Sequence, residues 1–348
     1  MNRKKLTLTM SLLMSFSPIL TSVPAYAQTN EEPQATISYV KDTTQTLDDN
    51  LDEVNIPDAN LKSAILSSLG KSGDSIITKG DLRNLTSLVG FYRNITDLTG
   101  LEYCENLVYA DLPSNNISNL KPLAKLTKLK SLNLDSNKID DISSLSSLTN
   151  LERLNISYNN ITDTSILANL KNLKELDLNS TNKTDFSFLN NLDNLTSLSL
   201  RSIKNKNCDL TPISKLTNLT SLSFDSNKGY DFSFLSKLTN LTYLHLDYND
   251  ITDLSPLRDL TKLTTLSLQF NKVSDLTPLK NLTNLTELYL PKNNVSDVTP
   301  LLNLTNLSTL FLNYNNITDI SPLKKLPNLF DLVINNNPAT TLPYNIYE

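Results

Sequence analysis

One 22-residue phrase, repeated without a gap, decides what this chain can become. Between Asn249 and Asn337 it is legible by eye: Asn249-Asp-Ile-Thr-Asp-Leu-Ser-Pro-Leu-Arg-Asp-Leu-Thr-Lys-Leu-Thr-Thr-Leu-Ser-Leu-Gln-Phe, then Asn271 and the next copy, restarting at Asn293 and Asn315. Traced towards the N-terminus, the Asn slot is held by Asn115, Asn137, Asn159 and Asn227 and is replaced at Arg93, Thr181 and Ile203. Every interval is 22 residues except that from Ile203 to Asn227, which is 24. A unit this short cannot bury its apolar face by itself. It buries that face against the copies on either side, so the chain is a solenoid rather than a set of globular domains.

The phrase also states its local structure. In Leu263-Thr-Thr-Leu266-Ser-Leu268-Gln-Phe-Asn271, Leu266 and Leu268 alternate with polar residues, the mark of a strand with one buried face. Asn271 then turns inward, where its amide can bond backbone groups that stacking leaves unpaired. Val273 and Leu276 bury next, and Pro278 ends strand pairing. Leu279, Leu282 and Leu285 follow at a spacing of three, which suits a 3-10 or extended return. Ahead of the repeats, Asp58 is an N-cap, Leu61, Ile65, Leu66 and Leu69 share a helical face, and Gly70 is the stop. Thr78 and Asp81 have capping-box spacing and predict a second short helix. Two helices laid over the first strand would cover an otherwise open sheet edge.

The flanks suggest export. Residues 1–27 carry Arg3, Lys4 and Lys5, an apolar run from Leu6 to Leu20, and Val23-Pro24-Ala25-Tyr26-Ala27, an A-x-A pattern that places cleavage after Ala27. The run is too short and too broken by Thr and Ser for a membrane anchor. With those three cations removed, 28 basic residues face 36 acidic ones, a net charge of −8 that argues against nucleic acid as a partner. The domain plan is a signal peptide over 1–27, a flexible polar tether over 28–55, a helical cap over 56–85, repeats over 86–337 and a tail over 338–348. Cys104 fills a Leu slot, and Cys208 falls in the irregular 24-residue interval, about five repeats away. At roughly 4.8 Å per strand the two lie about 24 Å apart, too far for a disulfide.

The pattern L-x-x-L-x-L-x-x-N-x-I-x-D-[IL]-x-P-L, complete at Leu310–Leu323 with its preceding Leu307, resembles the 22-residue unit of the internalin family of Gram-positive bacteria. The resemblance covers about 56–337, including a helical cap ahead of Tyr92-Arg-Asn-Ile-Thr-Asp-Leu-Thr-Gly-Leu101. It implies an α/β solenoid: a leucine-rich-repeat horseshoe with a parallel concave β-sheet, a 3-10 or extended convex side and a short helical N-terminal cap. Members of the family are secreted or surface-attached, and several grip host cell-surface proteins with the concave face. Family members often continue into an immunoglobulin-like domain, whereas Pro338–Glu348 is all that follows here. Leu342-Pro-Tyr-Asn is not the family's sorting motif and has no apolar tail behind it. The expectation is a freely secreted, monomeric repeat domain, or a truncated one.

Residues six, four, two and one before each Asn slot should line the concave face. In the last rows these are Tyr243, His245, Tyr248, Phe270, Tyr289, Phe311 and Tyr314, a concentration of aromatics beyond what a polar sheet needs and of the kind that anchors protein interfaces. Tyr109, Tyr158, Asp225 and Asp247 form a secondary set. Phe186, Phe188, Phe232 and Phe234 instead occupy core slots. Acids (Asp111, Asp135, Asp177, Asp225, Asp247, Glu287) outnumber Arg153, Arg201 and Lys292 on this face, which favours a basic partner.

Catalysis has little footing. His245 has Ser223, Ser267, Asp225 and Asp247 in adjacent rows, but there is no nucleophile elbow or oxyanion loop. Gly70-Lys71-Ser72-Gly73 lacks the upstream glycine of a phosphate loop, Ile65 standing in its place. One histidine and two distant cysteines make no zinc site, and no cofactor is expected. The reading is a non-enzymatic module that binds a host or cell-surface protein. The alternative is a bacterial surface scaffold without a host receptor, and a hydrolase ranks last.

Overall fold

A computed structural model of the protein describes residues 50–180, 185–203 and 208–341. Among these residues twelve three-residue strands, one per repeat, form a single parallel sheet in sequence order, from β1 (Ser87–Val89) to β12 (Asp331–Val333). Pairing follows the repeat: Leu266 of β9 (Thr265–Ser267) lies opposite Leu288 of β10 (Glu287–Tyr289), 22 residues on. Where the interval is 24, Ser197 of β6 (Ser197–Ser199) pairs with Ser221 of β7 (Ser221–Ser223), so the two extra residues are absorbed outside the sheet. A one-residue slip would have turned the leucines outward, and that penalty fixes the register.

The returns are 3-10 turns, for example Ser255–Leu257 and Thr299–Asn303. Most are primed by the Asp of the repeat, whose carboxylate accepts the amide two residues on; Asn119 takes that part ahead of Lys121–Leu123. Asp253 Oδ1 takes the Ser255 N–H at 2.8 Å, and Asp141, Asp275, Asp297 and Asp319 do the same in their repeats. These bonds hold the exposed carboxylates below their ordinary pKa.

Three side-chain ladders satisfy the backbone that the short strands leave open. In the first, Asn271 Nδ2 donates to Leu246 O and Leu268 O, both at 2.9 Å, while its Oδ1 accepts from Ile251 N at 2.9 Å. Asn115, Asn137, Asn159, Asn227, Asn249, Asn293, Asn315 and Asn337 occupy the same buried slot. The second uses the Asn of the Thr-Asn-Leu triplets: Asn284 Nδ2 donates to Thr261 O, Asn306 to Thr283 O and Asn328 to Thr305 O, each at 2.8–2.9 Å. The third is a column of hydroxyls, in which Thr242 Oγ1 donates to Thr220 O and Thr264 Oγ1 to Thr242 O.

At the N-terminus, Asp58 caps helix α1 (Ala59–Leu69) by accepting from Asn60 N and Leu61 N, and Gly70 ends the helix at φ 66°. Its second oxygen accepts from Thr96 N at 2.7 Å, which ties the cap to the first repeat. Thr78 and Asp81 form the capping box of helix α2 (Lys79–Asn84). One boundary needs correction. Residues 50–55, placed in the tether by their polarity, belong to the cap: Val54 is buried and its N–H bonds Ile77 O at 2.8 Å, while Glu53 bridges Thr78. Likewise Pro338–Thr341 forms a further 3-10 turn, with Ala339 N bonding Ile317 O. The signal segment 1–27, the tether from 28 to 49, the slot at Thr181 and the last seven residues lie outside the described residues.

The core is one continuous column of leucine and isoleucine through all the repeats. Phe186, Phe188 and Phe234 are buried in it and Phe232 is packed against it, as their slots predicted. Phe224, in a strand Leu slot, is fully buried and meets Tyr230, Phe232 and Phe234 at centroid distances of 5.6–5.9 Å. Cys104 is fully buried, and burial, then the Glu102 carboxylate, pushes its thiol up to about 12. It makes no disulfide with Cys208.

Candidate functional site

The concave face has two structural rows where the sequence suggested one surface. Strand residues supply only the positions six and four before the Asn slot. The residue immediately before the slot lies past the strand, and in all twelve repeats it has a positive φ of 53–60°. None of these residues is glycine; they include Tyr92, Tyr158, Tyr248, Phe270, Lys292 and Tyr314. Left-handed backbone costs a non-glycine residue about 1–2 kcal/mol, so neighbouring structure must impose it. In the first eleven repeats that N–H is captured by the next repeat, as Tyr248 N is by Gln269 O and Phe270 N by Pro291 O, both at 2.9 Å. The enforced conformation sets these side chains apart from the sheet as a rim.

Along that rim Tyr248 and Phe270 stack at 4.2 Å with 14° between ring planes. Lys292 continues the row: its Nζ lies 4.6 Å from the Phe270 ring centre and 5.2 Å from that of Tyr314. On the sheet itself, Tyr243 and His245 of β8 (Tyr243–His245) stack at 4.3 Å and 21°. Tyr289 meets Phe311 of β11 (Thr309–Phe311) edge to face at 5.2 Å and 85°, with Tyr289 Oη donating to Glu287 Oε2. The small residues Thr265 and Ser267 separate the two sheet pairs. Each aromatic pair contributes about 0.5–1.5 kcal/mol beyond its buried area. Tyr243, His245, Phe270, Tyr289 and Phe311 are half-buried against neighbours rather than standing free, and of the seven only Tyr248 and Tyr314 are exposed, at 43% and 48%. The side chains are ordered before any partner arrives, which lowers the entropic cost of binding.

Tyr109 and Tyr158 do not join this cluster. Six strand spacings separate Tyr109 from Tyr243, about 29 Å in all. Tyr158 stands in the rim between Ser136 and Ser180. Lys292 is the residue that sequence reasoning left out of the site. Reading the rim column alone, Tyr248-Phe270-Lys292-Tyr314 at successive intervals of 22, shows a cation placed between aromatics.

A polar chain runs beside the sheet aromatics. Asp247 Oδ1 accepts from Ser267 Oγ at 2.6 Å and Gln269 N at 2.8 Å, and Asp247 N donates to Asp225 Oδ1 at 2.9 Å. Arg201 Nε forms an ion pair with Asp225 Oδ2 at 3.0 Å, and a second guanidinium nitrogen donates to Ser223 Oγ. Burial, then the neighbouring Asp225, raises Asp247 to about 6; burial, then Glu175, raises Asp177 to about 6. His245 is drawn down to about 4 by burial and then by Arg201, so it is neutral near pH 7. Its Nδ1 lies 3.5 Å from Tyr243 Oη. Ser267 Oγ donates to Asp247 and Ser223 Oγ accepts from Arg201, and neither serine makes the contact with His245 that a triad needs. Asp225, His245 and Asp247 nevertheless bring one ligating atom each within 4.8 Å of one another.

A family model described as leucine-rich repeats (2 copies) matches residues 105–147, 149–191 and 239–281. No curated protein sequence matches the chain. Among solved structures, an internalin (inlF) from Listeria monocytogenes is 40% identical, with a TM-score of 0.74, over 81% of this chain and 83% of that one. The functional domain of InlJ from Listeria monocytogenes is 25% identical, with a TM-score of 0.56, over 81% of this chain and 70% of that one. A Leptospira interrogans leucine-rich-repeat protein is also 25% identical, at a TM-score of 0.59, covering 68% and 62%. Among the described residues no helix is long and apolar enough to cross a membrane. The horseshoe of parallel strands is a protein-interaction scaffold. With its 22-residue phrase, its helical cap and this degree of identity, the chain belongs to the internalin family of leucine-rich-repeat proteins.

Proposed function

We infer that this protein is a secreted, monomeric binding module that engages a host or other cell-surface protein through the concave face of its last repeats. The observation that carries the reading is the pair of pre-ordered rows: Tyr248, Phe270, Lys292 and Tyr314 on the rim, and Tyr243, His245, Tyr289 and Phe311 on the sheet. Aromatics held in fixed orientation beside a flat trough are the anchors from which protein interfaces draw most of their energy. The surrounding acids select a partner with a basic patch, acting chiefly on association rate. The export pattern of residues 1–27 supports delivery to the outside.

The test replaces Phe270, Tyr289 and Phe311 by Ala and compares binding to mammalian cells with that of the parent, after matching their melting curves. Each truncation should cost about 1–4 kcal/mol of binding. Undiminished binding by the variant rejects the concave anchor. No binding by the parent shifts the reading to a surface scaffold of the bacterium itself.

A further inference from the structure

The geometry points to a divalent transition-metal site of Zn2+ type on the concave face, with Asp225, His245 and Asp247 as ligands and Arg201 as the internal cation that a metal displaces. It stands independently of any protein partner, and it departs from the expectation of no zinc site, which counted only histidine and cysteine as ligands. Three donors on one zinc, each about 2.1 Å from it, lie at most ~4.2 Å apart. The three ligating atoms here are within 4.8 Å of one another, so side-chain adjustments below about 1 Å close them on an ion. One imidazole and two carboxylates make an N/O set suited to zinc rather than calcium or magnesium, which favour oxygen alone.

The surroundings resemble the outer shell of a metal site. Asp247 has Oδ1 fixed by Ser267 Oγ and Gln269 N, which leaves Oδ2 with a single long contact to Gln269 Nε2 at 3.3 Å. Asp225 has Oδ1 fixed by Asp247 N and turns Oδ2 towards Arg201. The His245 ring is clamped by its stack on Tyr243, whose hydroxyl faces Nδ1. Fixing one oxygen of each carboxylate is what outer partners do in metal proteins, and losing such a partner costs 10–100-fold in affinity. Stacking accounts for one oxygen of each carboxylate, which accepts the backbone N–H of the next row as Asn179 Oδ1 does from Arg201 N; it does not account for His245, whose place is taken by Ser223 one row earlier and Ser267 one row later.

Arg201 competes with a metal for this site. Its guanidinium already occupies Asp225 Oδ2, so ion and arginine compete for one carboxylate oxygen. Tag-free protein is titrated with ZnCl2 by calorimetry, and with Co2+ to read coordination from its visible spectrum. The parent is expected to bind one equivalent. His245→Ala and Asp247→Asn should each weaken binding by a hundredfold or more, and Arg201→Gln should tighten it by about tenfold, the competing cation having gone. Melting curves taken without metal identify any variant that fails to fold. Zn2+ binding unchanged in both ligand variants overturns the proposal. So does the absence of binding by both the parent and Arg201→Gln.

Discussion

Asn293→Ala isolates what the asparagine ladder contributes. The side chain is buried and makes four contacts: Oδ1 accepts from Val273 N at 2.9 Å, and Nδ2 reaches Leu268 O, Leu290 O and Pro291 O at 2.8, 3.1 and 3.3 Å. The three carbonyls have other donors, namely Asn271 Nδ2, Asn315 Nδ2 and Phe270 N. Val273 N–H has none. Truncation therefore orphans one buried donor, at about 2 kcal/mol, and removes one of two bonds at each of two well-bonded carbonyls, at about 1 kcal/mol each. The total is about 4 kcal/mol, a large share of the 5–15 kcal/mol that holds a typical domain. Asn294, the next residue, is exposed, and its side chain makes only a 3.5 Å contact to Lys272 O. The same substitution there should cost less than about 0.5 kcal/mol. Urea unfolding followed by circular dichroism measures both variants, and hydrogen exchange at the Val273 amide localises the effect. Equal losses at 293 and 294, or an unchanged Val273 amide, would refute the reasoning.

Other consequences follow from the same structure. Asp58→Ala removes a helix cap and the clasp to Thr96 together, so it should cost about 2 kcal/mol and expose the α1 amides to exchange first. Burial alone would raise the Asp58 carboxyl, but its bonds from Thr96, Leu61 and Asp97 outweigh that and hold it low. Its contribution is thus present above the unfolded value near 3.9 and is lost as pH falls through the lower folded value. Asp177 and Asp247, both raised to about 6, act the other way: the folded state takes up their protons first, so stability rises as pH falls from about 7 to 5. His245, lowered to about 4, opposes them, because the unfolded chain takes its proton near 6.5 and the folded chain does not. In chelator-treated buffer the parent should gain stability over that window and His245→Gln should gain more. A variant with Asp177→Asn and Asp247→Asn should lose stability instead. In a Cys208→Ser background, Cys104 should resist a thiol reagent until the protein unfolds, since it is fully buried with its thiol near 12.

The scaffold was legible because each repeat restates it. Leu266, Leu268 and Asn271 announce strand and turn through period and polarity, and the twelve strands keep the predicted phase. The Asp58 cap and the Thr78–Asp81 box were readable for a related reason, since both are local hydrogen-bond patterns with fixed spacing. Residues 50–55 were not, because their place in the cap depends on contacts with Ile77 and Thr78 more than twenty residues away. The role of Asn284 was also hidden: the triplet looks like an accident of phase until Thr261 O is seen beside its amide. In the candidate site the aromatic residues were visible as types, but their division into rim and sheet was not. That division depends on a left-handed backbone at Tyr248, Phe270 and Tyr314, residues that seldom adopt it and carry no glycine to mark it.

We propose that the concave face of the last repeats touches the partner, and cross-linking tests it. A photo-reactive phenylalanine analogue placed at Tyr289, on the sheet, is compared with one at Arg258, beyond the 3-10 turn Ser255–Leu257. Both variants are irradiated on intact mammalian cells. The account predicts one discrete adduct from position 289, suppressed by excess parent protein, and none from 258. An adduct from 258 alone, or adducts of equal yield from both positions, would contradict it.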